Sequence, residues 1–251
     1  MANKQWILSL LAVMSLSAGA QSNEPTIADL QQAIEVHDAA RVAYLFREKR
    51  FDPNFYLPNG ETPLVYAIRM DADIIVNKVL LRHRQLNVKI PTLRGETPLM
   101  LAAIKGDTAL VQTLLFMGAD INVNFGWTAL HYAATSGSSE TVRLLIKNGA
   151  DLNALTDRQI TPLYMAARAI STDSVKALLD AGADKTICND QGVSPADIAR
   201  QRGDSELAKA LAIDACRDMT PETQEVVITP ENVSENEPQQ GNTNNAQNPA
   251  S

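Results

Sequence analysis

Side chains able to do chemistry are sparse in this chain. Three histidines, His37, His83 and His131, stand far apart, and none has a Glu or Cys at ligand spacing that would complete a site. A zinc protease helix needs His-Glu-x-x-His so that both imidazoles share one face. A serine hydrolase needs the Gly-x-Ser-x-Gly turn, and a nucleotide site needs a phosphate-cradling glycine loop. The sequence contains none of these. No catalytic residue, cofactor or metal is expected, and the chain reads as non-catalytic. Two cysteines exclude a disulfide-dense scaffold and a zinc site of four thiolates. Cys188 and Cys216 are 28 residues apart. Two readings stand: an intramolecular bridge, or two separate thiols with Cys216 filling a small packing site. Asn232-Val233-Ser234 has the glycosylation pattern and is read as a chance match.

The elements that would position any site come from what remains. The chain has 251 residues and a net charge of -7. Hydrophobic residues make up 45%, enough for a core, while aromatics are only 5%. Such a core is built from Leu, Ala, Val and Ile, which suits closely packed helices. The acidic balance argues against nucleic acid as a partner. Lys4, the apolar run Trp6 to Leu16 and Ala18-Gly19-Ala20 have the layout of a secretory signal peptide, with cleavage expected after Ala20. No Cys follows the run, which speaks against a lipoprotein, and no later stretch is long and apolar enough for a membrane helix. Residues 218–251 carry six acids and no Lys or Arg, four prolines and an Asn/Gln-rich end. That composition predicts disorder. Most of the net charge lies there, so the body, residues 21–217, is close to neutral.

One short phrase recurs: Thr62-Pro63-Leu64, Thr97-Pro98-Leu99, Thr128-Ala129-Leu130, Thr161-Pro162-Leu163 and the weaker Ser194-Pro195-Ala196. The spacings are 35, 31, 33 and 33 residues. A second phrase keeps the same beat, with Gly118-Ala119-Asp120, Gly149-Ala150-Asp151 and Gly182-Ala183-Asp184 each following a Val and a Leu-Leu or Leu-Ile pair. In a divergent copy, Val76 to Asn87, His83-Arg84-Gln85 stands in that place. Thr caps a helix, Pro suits its first position, Leu points inward, and an Ala pair lets a second helix approach. The second helix carries an apolar stripe and ends on Gly in a left-handed cap. One such unit cannot bury both of its faces, so neighbours must stack. Counted from each Asn to the next Thr, the turns before Thr97 and Thr128 read as a long one beside a short one.

These phrases resemble the ankyrin repeat, whose signature is Thr-Pro-Leu-His-x-Ala at about 33 residues. The resemblance covers about residues 26–217 and implies an all-α solenoid of helix-turn-helix units joined by β-turn or hairpin fingers. Six units are counted, the first and last being caps, the first without a recognisable Thr-Pro-Leu. The resemblance implies a structural hydrogen-bonding role for His131. It also implies a protein-binding scaffold whose contacts come from finger tips and from the ends of first helices.

Register then locates the candidate binding residues. At first-helix ends these are Arg69, Met70, Ile104, Lys105, Thr135, Arg168 and Arg202. On the fingers they are Asn59, Glu61, Arg94, Glu96, Phe125, Trp127, Arg158 and Ile160. Arg69, Lys105, Arg168 and Arg202 are expected to form one basic concave stripe, and Trp127 an exposed aromatic beside it. The stripe fits a partner protein with an acidic surface, or the chain's own tail. The mature chain is expected to be monomeric, free of the membrane and periplasmic, with secretion as the alternative. An accessory or inhibitor protein that regulates an enzyme, or a secreted effector, is the alternative function.

Overall fold

A computed structural model describes residues 24–48, 50–123 and 126–217. The signal-like residues 1–20, the acidic segment 218–251 and Phe125 lie outside the described residues. Twelve helices and no strand are found among the described residues. They pair as six hairpins: α1 (Ile27–Glu35) with α2 (Ala39–Glu48); α3 (Pro63–Arg69) with α4 (Asp73–Ile75, running into a π-helical turn, Val76–Leu80); α5 (Pro98–Lys105) with α6 (Thr108–Phe116); α7 (Ala129–Ser136) with α8 (Ser139–Lys147); α9 (Pro162–Arg168) with α10 (Thr172–Asp180); and α11 (Pro195–Gln201) with α12 (Ser205–Ala210). The architecture is an all-helical solenoid. No helix among the described residues is long and apolar enough to cross a membrane.

Each first helix starts on a hydroxyl. Thr62, Thr97, Thr128, Thr161 and Ser194 accept the amide of the third helical residue. All five are buried, so the capping oxygen is the only replacement for water at those amides. The first unit has the same device. Thr26 and Asp29 form a reciprocal capping box, the Thr-x-x-Asp signal. First helices stack on one another through Ala67, Ala102, Ala103, Ala133, Ala134, Ala166, Ala167 and Ala199, all buried. Second helices form the other row and contribute Leu45, Leu80, Leu114, Leu145 and Leu178, each fully buried.

The units are also laced together along their turns. Asn54 donates to the Gln85 carbonyl and accepts from the Asn87 amide. Asn122 repeats this with Gly149 and Asp151, and Asn153 accepts from Asp184. This lacing corrects the register of the divergent copy. Asn87 stands where the other units have Asp, and Lys89 stands at the lacing Asn, where its ammonium reaches Asp120 at 2.9 Å. The turn before Thr97 is therefore of ordinary length. The two extra residues lie upstream and include the π turn, closed by Leu81 N–H on the Val76 carbonyl. Ala72, at the start of α4, supplies no side-chain cap.

The last unit is closed differently. Cys188 and Cys216 are joined in a disulfide with Cα atoms 5.6 Å apart. The segment after α12 lies along the last finger: Arg217 N–H donates to the Thr186 carbonyl, its guanidinium meets Asp184 at 3.1 Å, and Lys185 reaches the Ala212 carbonyl. Closing a loop of this length restricts the unfolded chain by about 3–4 kcal/mol. Reduction, or the double change Cys188→Ser/Cys216→Ser, is expected to lower stability by that amount, measured as the shift in a urea melt with and without reductant.

First helices leave through a left-handed residue, Gly106, Gly137 and Gly203 in three units but His37, Asp71 and Ile170 in the others. A β-branched side chain at φ 56° is strained, by about 1–2 kcal/mol. Ile170→Gly relieves this and gives up a partly exposed side chain. A rise in stability of up to about 1 kcal/mol is expected in denaturant titration.

Candidate interaction surface

The four fingers that lie wholly within the described residues are turns of one geometry. In each, an amide bonds the carbonyl four residues on, and the carbonyl of the same residue accepts from three residues on: Leu57 with Glu61 and Gly60, Thr92 with Glu96 and Gly95, Thr156 with Ile160 and Gln159, Asn189 with Val193 and Gly192. Neighbouring fingers join through Leu93 N–H on the Gly60 carbonyl and Asp190 N–H on the Arg158 carbonyl. Gly60 is required there. Its φ is 79°, and a Cβ would lie 2.9 Å from Leu93 Cδ1. Leu93 itself is 75% exposed at a finger tip. Repeat register does not locate Leu93; the signal for it in the sequence is a bulky apolar residue between Thr92 and Arg94 in a turn.

The proposed basic stripe divides in two. Arg69 is held between carboxylates of two units, Glu61 at 2.6 Å and Glu96 at 3.0 Å. Burial alone would lower the guanidinium pKa, but Glu61 and Glu96 outweigh it and hold it above its ordinary value. Asn59 braces Glu61 by accepting its amide and donating to its carboxylate. Lys105 pairs with Asp71 of the preceding unit. Ile104 beside it and Met70 are half-buried, and the Met70 carbonyl meets the His37 ring nitrogen at 2.8 Å. Arg158 pairs with Asp190 at 3.4 Å. By contrast, Arg94, Arg168 and Arg202 are exposed, with no carboxylate within ion-pair distance among the described residues. Arg168 and Arg202 line one open cleft of about 260 Å³ with Thr135, Met165 and Ala169. The stripe is thus neutralised internally in units two and three, and its charge is free at units five and six.

Trp127 is half-buried rather than exposed. Its ring packs edge-on against His131 at 5.6 Å and Tyr132 at 5.8 Å. The Tyr132 hydroxyl points to Glu96 at 3.5 Å, and burial, then the Glu96 charge, raises its pKa. Tyr66 donates to Glu35. Burial, then that bond, pushes its pKa to about 12. Among the described residues no three of His, Cys, Asp and Glu converge as a metal site would require.

His131 ties the start of its own helix to the next unit. The ring is fully buried. Nδ1 accepts from the Thr128 amide, and Nε2–H donates to the Ile160 carbonyl of the next finger at 2.9 Å. One side chain therefore caps its own helix and holds a finger of the neighbouring unit. Ile160 is half-buried beneath that bond.

The family model for ankyrin repeats in three copies matches residues 30–125, 89–156 and 122–189. The chain belongs to the ankyrin-repeat family. It is similar to the Neurogenic locus notch homolog protein 1 of Xenopus laevis and of Xenopus tropicalis, 33% identical to each over 124 residues. The match takes in 47% of this chain and 5% of each relative, so the chain spans a small part of their length. Ankyrin repeats are protein–protein interaction modules, and here Arg94 on a finger and Arg168 and Arg202 at first-helix ends face solvent.

Burial holds the His131 pKa below the ordinary histidine value of 6.5, with its bonds to Ile160 and Ala154 and the Asp151 charge only partly opposing. The unfolded chain therefore takes up this proton first. The stability contributed by neutral His131 is complete above about pH 6.5 and is lost as pH falls toward the folded value. The slope contributed is at most about 1.4 kcal/mol per pH unit. Urea melts between pH 7.5 and pH 5 are expected to show this loss in the native chain, and His131→Gln is expected to flatten it.

Proposed function

We propose that this ankyrin-repeat protein is an exported, non-catalytic binding scaffold that works in the periplasm. Its partner protein lies against the finger turns and first-helix ends. The observation that carries the reading is the contrast between internally paired and unpaired groups at equivalent repeat positions. Arg69, Lys105 and Arg158 are spent on bonds within the array. Arg94, Arg168 and Arg202, with the exposed Leu93, are left facing water. Arginine beside an apolar side chain is the chemistry of interface contacts. Export is supported by the signal-like first twenty residues and by the Cys188–Cys216 bridge, since disulfides persist in oxidising compartments.

The test is site-specific photo-crosslinking in the producing cell. A photoreactive residue at Thr135 or Arg94 is expected to give one discrete adduct, and one at Phe116 on the second-helix row none. The same blot reports export: the mature chain is expected to start at Gln21. Adducts from Phe116 alone would place the contact on the opposite face and defeat the reading.

A further inference from the structure

We infer that the cleft spanning units four to six is a docking site for an acidic protein segment, an extended stretch in which carboxylates flank an apolar side chain. The inference rests on the scaffold reading and names the partner's chemistry at that surface. Three successive first helices contribute. Thr135 comes from α7, Met165, Arg168 and Ala169 from the region of α9, and Arg202 from the residue after α11. The two guanidiniums come from adjacent units and share one open depression. Neither is spent on an internal ion pair among the described residues, whereas Arg200, two residues before Arg202, is bonded to Asp197. Between them Met165, itself buried, and Ala169 form an apolar floor. The Thr135 hydroxyl is bonded back to the His131 carbonyl. It keeps acceptor lone pairs toward solvent but no spare donor, so acid recognition falls to the arginines.

This arrangement selects among partners. A guanidinium presents a rigid fork of donors that matches a carboxylate, and two forks at repeat spacing match two carboxylates on one strand. The apolar floor favours a hydrophobic side chain between them over a uniformly charged one. The opposite end of the same surface cannot do this. There Glu61 and Glu96 already occupy Arg69, so an acidic segment would meet carboxylates. The repeat surface is thereby polarised, and a bound segment has a preferred end.

The probe is a fluorescein-labelled peptide alternating Glu and Leu, with its Gln–Leu counterpart as control, titrated against the full mature chain by anisotropy. Expected are binding of the Glu peptide alone, a marked loss on raising salt, and at least about a tenfold loss in Arg168→Gln/Arg202→Gln. Arg69→Gln is expected to leave the affinity within about twofold, because that side chain is already paired. Equal binding of the Gln peptide, or indifference to the double change, would overturn the inference. So would tighter peptide binding after the six carboxylates of residues 218–251 are changed to amides, which would assign the cleft to this chain's own acidic segment. If the Thr135 photo-adduct persists undiminished in Arg168→Gln/Arg202→Gln, acidic docking is wrong while the scaffold reading stands. If no adduct forms at any position, the scaffold reading fails by itself and the peptide titration still decides the cleft.

Discussion

Five of the six first helices of this protein begin in the interior, and that burial governs the rest. The opening amides of a helix have no partner within it. Where water is excluded, an unsatisfied amide costs about 1–3 kcal/mol. Thr62, Thr97, Thr128, Thr161 and Ser194 supply the missing acceptor from a buried position. Because each hydroxyl must sit at the helix start, the finger immediately before it is fixed in direction. The finger's carbonyls and amides then close on themselves and on the next finger. Proline follows the hydroxyl because it adds no amide to satisfy. In unit four there is no proline; there His131 accepts the Thr128 amide and donates to the Ile160 carbonyl of the next finger.

That local rule is why so much of the fold was legible. Thr-Pro-Leu, the alanine pair and Gly-Ala-Asp each answer to a backbone requirement within a few residues. What was not legible depended on contacts between units. Lys89 fills an asparagine's place through a bond to Asp120, thirty-one residues on. Reading Asn87 as that asparagine moved two extra residues from the helix into the turn. The Thr26 cap was missed because it lacks the following Pro-Leu, although Asp29 at the third position signals it.

The candidate site divides along the same line. Register alone brings Thr135, Arg168 and Arg202 to one face, and the structure gathers them into one cleft. Register says nothing of which charges are spent. Glu61 and Arg69 are eight residues apart, and Glu96 comes from the next unit, so their mutual neutralisation needed the fold. Trp127 illustrates the same limit. Its place on a short finger suggested solvent, but the neighbouring Tyr132 and His131 rings, on the next turn, draw it inward.

The covalent tie between Cys188 and Cys216 gives this array an order of events as well as a shape. In a stack where each unit leans only on its neighbours, unravelling starts from an end or from the weakest joint. The disulfide removes the carboxyl-terminal end from contention. Unit two has an uncapped second helix, a π turn and a non-glycine left-handed residue, Asp71, after its first helix, and unit one has His37 at the same place. Disassembly therefore runs like a zip with one end riveted. The end left free to open is the amino-terminal one, and the end that carries Arg202 is tied shut.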